Sequence, residues 1–334
     1  MSKVVRALSL IALLVVGCGS SAEEAGIEQA AMATPAARPA YLALGDSIAF
    51  GYNLNHRTYF PDGTSKNLPD QSAYAVGYPE ALGRVLANDF GVRLPIANTA
   101  CPGEASGSLI TGERADDNDC FENRHEFALH HEYDHEDNAH GSGKSQLEHA
   151  IEYIAVDPSH VKLITLTVGA NDALKYAGDA CLVCIAAGAL DAVLFKLQRN
   201  WETILEAIVA TGYKGPIVGV LYYSPGYRLT HLPQQAGIRI INAKIHDAAK
   251  VVRAKHPTMR LELVESFDVF NEASRPFGGD ACAAGLTMLM TKGPDVGSCD
   301  AHASNLGQEK LARAVWQALS LEEQTALLES GTKH

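Results

Sequence analysis

A serine in a Gly-Asp-Ser turn is the first residue of the chain that could act as a nucleophile. Ser47 follows the apolar run 41–44, and Gly45 can take backbone angles that a side chain forbids. Such a turn would present the serine hydroxyl at the carboxyl end of a buried strand. It is not the G-x-S-x-G elbow, because Ala49 stands two residues after Ser47. Gly-Asp-Ser is also common in surface turns, so the interpretation depends on partners elsewhere in the chain.

A serine nucleophile needs a base and donors for the oxyanion that forms on a substrate carbonyl. Gly103 lies in a loop where its amide could point at an anion, and Asn171 lies in a Gly-x-Asn-Asp turn. His302, just before the last predicted helix, could reach back to Ser47. Taken singly, these residues also fit a turn, a helix cap and a surface loop. Together they predict an acyl-transfer site.

In this order the residues resemble the four sequence blocks of the SGNH or GDSL hydrolases, which supply Ser, Gly, Asn and His. The resemblance covers about residues 40–320. It implies Ser47 as the nucleophile and His302 as the general base and acid. It also implies an oxyanion hole made by the amides of Ser47 and Gly103 with the side chain of Asn171. The expected activity is hydrolysis of carboxylic esters by an esterase or lipase, with no metal or other cofactor.

The last block departs from the family pattern Asp-x-x-His. Cys299 stands three residues before His302, and the nearest carboxylate is Asp300. Asp300 could hold the imidazole from two residues away, or the carbonyl of Cys299 could orient it in a Ser-His dyad. We favour Asp300, because a carbonyl would offer less stabilisation to the imidazolium that forms during acyl transfer.

Short apolar runs alternate with longer amphipathic segments from residue 40 onward, which is typical of a parallel sheet covered by helices. The pattern predicts five strands, at 40–44, 92–97, 161–168, 216–222 and 259–265. It predicts helices at 78–88, 146–154, 191–210, 234–255 and 305–319. No repeat or composition shift divides this part of the chain. We therefore predict one α/β domain at 40–334, a three-layer α/β/α sandwich with its ligand at the carboxyl ends of the strands, in agreement with the flavodoxin-like fold of the SGNH hydrolases.

The N-terminus has the features of an export signal, because two basic residues precede an apolar run at 7–16. A small residue before Cys18 resembles the lipobox of bacterial lipoproteins, which implies that residues 1–18 end in a lipid-attachment cysteine. A plain secretory signal cut near Ala36 is the alternative. Residues 19–39 are rich in Ala, Glu, Ser and Pro and predict a flexible tether. We expect an exported protein, either a cell-envelope lipoprotein or a secreted one.

Six cysteines remain besides Cys18, an even number that predicts three disulfides in an exported protein. Sequence proximity favours three local pairs: Cys101–Cys120, Cys181–Cys184 and Cys282–Cys299. Such pairs also resemble those of secreted bacterial lipases and esterases in the family. A zinc or redox role for the CxxC sequence is the alternative, but a lone CxxC without a second ligand pair is a poor zinc site.

Residues 131–135 read H-E-x-x-H, in which His131 and His135 would be the ligand pair of a zinc peptidase. Acidic and histidine residues flank the motif and Gly141 follows it, which favours an exposed loop over the buried helix that such an enzyme needs. A zinc-dependent hydrolase is therefore the first alternative function. A lipoprotein that binds lipid or glycan without turnover is the second, and the complete Ser, Gly, Asn and His set argues against it.

The chain of 334 residues has a formal net charge of −12 and no basic run, which argues against nucleic acid or an anionic membrane surface as a partner. Contact with a membrane would therefore depend on the N-terminal lipid anchor. The expected substrate is an ester of a small molecule, a lipid or an acylated glycan, and the expected state is a monomer. Two long connections, at 53–77 and 101–143, leave from strand ends where the ligand would bind, so we expect them to shape the pocket.

Overall fold

The computed structural model of the chain describes residues 40–62, 65–67, 75–112, 145–174, 189–228 and 231–333. These residues fall within one compact unit, Ala37–His334. The expectations for residues 1–39, for three of the cysteines and for the histidine motif concern positions outside the described residues: Cys120, Cys181, Cys184, His131 and His135.

The strands within the described ranges are β1 (Tyr41–Gly45), β2 (Arg57–Tyr59), β3 (Ser65–Asn67), β4 (Val92–Arg93), β5 (Ile96–Asn98), β6 (Leu163–Thr167), β7 (Ile217–Val220), β8 (Leu261–Val264), β9 (Thr287–Leu289), β10 (Cys299–Ala303) and β11 (Thr332–Lys333). The α-helices there are α1 (Ser47–Phe50), α2 (Tyr78–Phe90), α3 (Ser106–Thr111), α4 (Gln146–Val156), α5 (Ala170–Leu174), α6 (Ala189–Ala210), α7 (Leu232–Lys255), α8 (Ser266–Ser274), α9 (Asn305–Ala318) and α10 (Leu321–Ser330). None of these helices has the length and apolarity needed to cross a bilayer.

A five-stranded parallel sheet forms the centre of the domain, in the order β5-β1-β6-β7-β8. Counted along the chain, these strands lie in the order 2-1-3-4-5, which is the order of flavodoxin-like folds. Every residue of β1 and β6 is buried, as expected for strands that helices cover on both faces. The predicted α/β class and the five-stranded parallel sheet are confirmed.

Alternate residues of β1 contribute to two hydrophobic cores, because successive side chains of a strand point to opposite faces. Tyr41 and Ala43 pack on one side of the sheet, in the core that includes side chains of α2 and α9. Leu42 and Leu44 pack on the other side, in the core that includes side chains of α4, α6 and α7. The domain therefore has the predicted helix, sheet and helix layers.

The single strand predicted at 92–97 is wrong. Val92–Arg93 pairs antiparallel with Thr332–Lys333 at the end of the chain, and only Ile96–Asn98 joins the central sheet. Pro95 separates the two pieces, because proline has no N–H to donate to a continuous ladder. The other four predicted strands and all five predicted helices are present, with ends that differ by one or two residues.

Candidate active site

Ser47 begins helix α1 directly after the central strand β1. Gly45 has a φ of 152°, and a Cβ atom there would lie 2.4 Å from the carbonyl oxygen of Thr167 on β6. Glycine is therefore needed where the two strands run closest together. The Asp46 carboxylate caps α1 by accepting a hydrogen bond from the Ile48 amide at 2.9 Å. These contacts fix the serine at the carboxyl end of β1.

His302 lies beside Ser47, although 255 residues separate them in the sequence. Its Nε2 is 3.0 Å from Ser47 Oγ, and its Nδ1 is 2.6 Å from Asp300 Oδ1. A carboxylate can only accept, so Nδ1 carries the proton and Nε2 is left to accept from the serine hydroxyl. The Asp300 carboxylate, rather than the Cys299 carbonyl, thus faces Nδ1, in the hydrogen-bonding order of a Ser-His-Asp triad.

Asp300 reaches His302 from two positions away on β10, the strand that carries both residues. The backbone amide of His302 donates to Asp300 Oδ1 at 2.7 Å, which holds the carboxylate against its own strand. The pairing of β10 with β9 shifts register between Cys299 and Ala303, so the strand is irregular at these two residues. This local hydrogen bond, rather than regular strand geometry, holds the acid beside the histidine.

Burial alone would raise the pKa of Asp300, but the hydrogen bonds and charge of His302 outweigh it and hold the pKa below its usual value. The carboxylate therefore stays ionised at neutral pH and can stabilise an imidazolium. The Asp300 side chain is 11% exposed and the His302 side chain 23%, so solvent reaches the histidine more readily than its acid.

Two contacts hold strand β10, which carries His302, against the rest of the domain. The disulfide Cys282–Cys299 ties its first residue to the segment that precedes β9. Tyr223, which is buried, donates from its hydroxyl to the Ala301 carbonyl at 2.9 Å. Because Ala301 stands between Asp300 and His302, this bond anchors the part of β10 that carries both side chains.

Residues 52–59 contact His302 and the hairpin that β9 and β10 form by antiparallel pairing. The ring of Tyr52 packs edge-on against the imidazole of His302, with centroids 5.2 Å apart. The Tyr52 hydroxyl accepts a hydrogen bond from Arg57 at 3.0 Å. Asn55 donates to the Leu289 carbonyl on β9 at 3.0 Å. The segment after α1 thus contacts both the His302 imidazole and strand β9.

The three predicted oxyanion donors follow three neighbouring strands, since Gly103 comes after β5, Ser47 after β1 and Asn171 after β6. Within the described part of the chain, the amides of Ser47 and Gly103 donate to no protein acceptor. Asn171 donates one side-chain hydrogen to the Glu104 carbonyl at 2.9 Å, which leaves its second hydrogen for another acceptor. The arrangement therefore offers three donors at the carboxyl ends of these three strands.

A sequence model described as GDSL-like Lipase/Acylhydrolase matches residues 41–315. The chain belongs to this family. It is accordingly a carboxylic ester hydrolase, an enzyme class that agrees with the side chains gathered around Ser47.

Solved structures similar to this GDSL hydrolase include an extracellular lipase from Streptomyces rimosus, with 18% identity over 84% of this chain and 99% of that one and a TM-score of 0.45. An acetyl xylan esterase from Geobacillus stearothermophilus has 13% identity over 83% of this chain and 93% of that one, with a TM-score of 0.46. A family 3 carbohydrate esterase from Clostridium thermocellum has 11% identity over 86% and 98%, with a TM-score of 0.45. No curated protein matches.

Sequence reasoning missed the polar side chains that support the GDSL site. Tyr222 donates to the buried Asp46 carboxylate, which precedes Ser47 directly. Burial raises the pKa of Asp46 to about 6, although the Tyr222 and Ile48 hydrogen bonds oppose the rise. Asp172 accepts from the hydroxyl of Ser106 at 2.6 Å and from its amide at 2.8 Å. The Asp172 carboxylate was visible in the sequence beside Asn171, but its partner, 66 positions away, was not.

Metal ligation in this GDSL hydrolase is not supported by the described residues, which hold no cluster of three His, Cys, Asp or Glu side chains that could bind an ion. The motif residues His131 and His135 lie outside those residues. Cys101 is disulfide-bonded to a partner that also lies outside them. Two predicted pairs therefore stay predictions: Cys101–Cys120 and Cys181–Cys184.

A cleft of about 440 Å³ opens at the opposite end of the sheet from Ser47. Lys162, Pro216 and Arg260 line it, and they lie before β6, β7 and β8, at the amino ends of these strands. Arg260 is already paired with Glu323 at 2.9 Å. Ser47, Asp300 and His302 do not line this cleft.

Proposed function

We propose that this GDSL hydrolase cleaves carboxylic esters through a covalent acyl-enzyme on Ser47. The observation that carries the proposal is the chain of hydrogen bonds from Ser47 Oγ to His302 Nε2 at 3.0 Å and from His302 Nδ1 to Asp300 at 2.6 Å. A base in contact with the hydroxyl, itself oriented by an ionised carboxylate, is what nucleophilic activation of a serine requires.

In the first half of the reaction, Ser47 Oγ attacks the ester carbonyl while His302 Nε2 takes the hydroxyl proton. The negative charge that forms on the carbonyl oxygen is stabilised by the amides of Ser47 and Gly103 and by the side-chain amide of Asn171. Collapse of this intermediate breaks the bond to the alcohol, which leaves with the proton from His302. The acyl group stays on Ser47, and Asp300 balances the charge of the imidazolium while it lasts.

In the second half, His302 takes a proton from water as the water oxygen attacks the acyl carbonyl. The same three donors hold the new oxyanion, and the proton returns to Ser47 Oγ as the carboxylic acid leaves. Atoms balance with one ester and one water consumed and one acid and one alcohol formed. The proposed substrates are carboxylic esters of small alcohols, lipids or acylated glycans, and no cofactor enters any step.

We further propose that the enzyme is exported and anchored by lipid at Cys18. The disulfide Cys282–Cys299 supports an oxidising compartment, because such bonds are rare in reducing ones. Detergent phase partition of the full chain and of Cys18→Ala tests the anchor: the native chain should enter the detergent phase and the variant the aqueous one. Equal partition of the two would favour a plain secretory signal.

The catalytic proposal is tested with Ser47→Ala and a short-chain aryl ester. Turnover should fall by about 10⁴- to 10⁶-fold, because loss of a triad nucleophile leaves only binding and oxyanion stabilisation. Circular dichroism should stay unchanged, and an organophosphonate should label the native serine but not the variant. Ser330→Ala, which removes a hydroxyl on the remote helix α10, serves as the control.

A chelator provides the test against the alternative hydrolase. The serine mechanism predicts that prolonged treatment with a chelator leaves turnover unchanged. Loss of activity that zinc restores would contradict the proposal and would favour a site at His131 and His135. Retention of turnover by Ser47→Ala would contradict it as well, whatever the effect of metal.

A further inference from the structure

Gln146 is a buried glutamine at the start of helix α4, and only 5% of its surface is exposed. Its side-chain oxygen accepts a hydrogen bond from the Gly45 amide at 2.9 Å, and its nitrogen donates to the Gly45 carbonyl at 2.9 Å. The same nitrogen donates to Glu104 Oε2 at 2.7 Å. Both hydrogens and the oxygen of the amide are thus used, and two of these bonds go to the residue two positions before Ser47.

The position of Gln146 is itself fixed by a capping box at the start of α4. Ser145 Oγ accepts from the Glu148 amide at 3.1 Å, and the Glu148 carboxylate accepts from the Ser145 amide at 2.8 Å. Such reciprocal bonds hold the first turn of a helix. Gln146 therefore projects toward the nucleophile turn from a backbone that has little freedom to move.

Glu104 extends the connection from Gln146 to the other oxyanion donors. It follows Gly103 directly, and its side chain is completely buried. Its carboxylate accepts from Gln146 and from the Ser108 hydroxyl, while its carbonyl accepts from the Asn171 side chain at 2.9 Å. The turn before Ser47, the loop of Gly103 and the amide of Asn171 are therefore joined through one glutamine and one glutamate.

We propose that Gln146 is a positioning residue, which sets the distance between the nucleophile turn and the oxyanion donors of Gly103 and Asn171. The inference rests on the proposed function and deepens it. Donors that stabilise an oxyanion must lie about 2.7 to 3.1 Å from it, and a displacement of about 1 Å can lower a rate about 100-fold. The three donors follow separate strands, so a side chain that links two strand ends at once can hold their separation.

The chemistry of these bonds requires a glutamine. The Gly45 amide needs an acceptor, whereas the Gly45 carbonyl and the Glu104 carboxylate each need a donor. Glutamate at position 146 would place a second carboxylate against both acceptors. An apolar residue would remove the acceptor of the Gly45 amide and one donor each from the Gly45 carbonyl and the Glu104 carboxylate, which would keep their bonds from the Cys101 amide and the Ser108 hydroxyl. Each change should shift the turn relative to the loop without touching Ser47 or His302.

The test uses Gln146→Glu and Gln146→Met in the full chain, with active sites counted by titration with an organophosphonate. We expect kcat per titrated site to fall about 10- to 100-fold in both variants, with KM changed by less than about twofold. Affinity for an alkyl boronic acid, which forms a tetrahedral adduct on the serine, should fall in parallel with kcat. A purely structural role would lower the melting temperature and the fraction of active sites but not kcat per site.

Two further variants sharpen the test. Glu104→Gln keeps an acceptor for Gln146 and should retain kcat within about threefold, whereas Glu104→Leu should reproduce the loss. Gln324→Met removes a glutamine of the remote helix α10 that donates to the carbonyls of Trp316 and Leu319 at the end of α9, and it should leave kcat unchanged. Should the Gln146 variants fail to fold, the Glu104 pair carries the same test.

Native kcat per titrated site in Gln146→Met and Glu104→Leu, with lower melting temperatures alone, would overturn the inference. So would an equal fall in kcat for Gln324→Met. Failure of the proposed function would look different, because Ser47→Ala would then retain turnover and the organophosphonate would not label the native enzyme.

Discussion

Ser47 and the other two proposed oxyanion donors, Gly103 and Asn171, follow three neighbouring strands of the central sheet, whereas Asp300 and His302 lie on a two-stranded hairpin outside that sheet. The strands beneath the serine are buried in the two hydrophobic cores. On the hairpin, Cys299 and Ala301 are exposed, and few apolar side chains hold β10 in place. The half of the site that contains Ser47, Gly103 and Asn171, here the core half, is therefore part of the hydrophobic core. The half that contains Asp300 and the proposed base His302, here the base half, is attached to that core.

This difference separates the conditions under which each half can lose its geometry. Displacing the donors requires opening the central sheet, which is close to global unfolding. Displacing His302 requires only that the hairpin move away, and regions with few buried contacts open at lower free energy than the core does. The disulfide, the Tyr223 hydroxyl and the contacts of Tyr52 and Asn55 oppose such opening. Four predictions test this difference in stability between the core half and the base half.

The largest effect is expected from Asp300→Asn, which alters the base half alone. An amide would favour the wrong tautomer of His302 and would remove the charge that stabilises the imidazolium, so kcat should fall about 10⁴-fold. The measurement is the rate of aryl ester hydrolysis, with Asp295→Asn on the exposed turn of the same hairpin as the control. A loss of less than tenfold would instead favour orientation of the imidazole by the Cys299 carbonyl.

A smaller loss is expected from Asn171→Ala in the core half. Removing one oxyanion donor costs about 2.7 to 4 kcal/mol, so kcat should fall about 100- to 1000-fold while KM changes little. Steady-state kinetics with the same ester provides the measurement, and Asn271→Ala on helix α8 is the control. A change confined to KM would mean that Asn171 binds the substrate or only caps a helix.

A still smaller effect is expected when the hairpin loses its disulfide. The bridge closes a loop of 17 residues, and a bridge of that length contributes about 3 kcal/mol to the free energy of unfolding. In a variant that carries Cys282→Ala and Cys299→Ala, activity should fall about tenfold at temperatures where circular dichroism of the sheet is unchanged. Activity that persists until global unfolding would contradict the separation of the two halves.

The smallest effect concerns stability alone and lies in the core half. Burial raises the pKa of Asp46 from 3.8 to about 6, so the folded state holds this proton more tightly than the unfolded state does. The resulting stabilisation is complete below about pH 4 and is lost as the pH rises through about 6. Between about pH 4 and 6, the free energy of unfolding of Asp46→Asn should therefore change by about 2 kcal/mol less than that of the native chain.

Urea denaturation of the native chain and of Asp46→Asn across this pH range provides the measurement. Glu80 is the comparison, because burial raises its pKa to about 7 and Glu80→Gln should flatten the curve at higher pH. An unchanged slope between pH 4 and 6 in Asp46→Asn would show that the carboxylate is ionised in both states, and would contradict this prediction.

The core half could be predicted from the sequence because its signals are local. The apolar run before Gly45 and the turns at Gly103 and Asn171 each mark the end of a strand, and parallel strands bring those ends to one edge. The strand predicted at 92–97 is broken at Pro95, a local signal that the prediction passed over, and its first part pairs with residues 332–333, a partner that no local pattern contains. Local periodicity therefore gave the order of the elements more accurately than the limits of the shortest ones.

The base half could be predicted only in its residue types. Strands β9 and β10 are short and partly exposed, so they lack the apolar alternation that marks a strand in a sequence. Without the strand, neither Asp300 nor the Cys299 carbonyl could be preferred on geometry. The role of Gln146 was hidden for another reason, because its bonds to Gly45 join residues 101 positions apart. A buried polar contact of this kind leaves no periodic pattern.

The short spacing of Asp300 and His302 has a consequence for the way in which the histidine ring is oriented. The pairing of β10 with β9 shifts register between Cys299 and Ala303, so regular strand geometry does not fix the two side chains. The Asp300 carboxylate instead accepts from both the backbone amide and the ring Nδ1 of His302. One carboxylate therefore couples the backbone conformation of the histidine to the orientation of its ring.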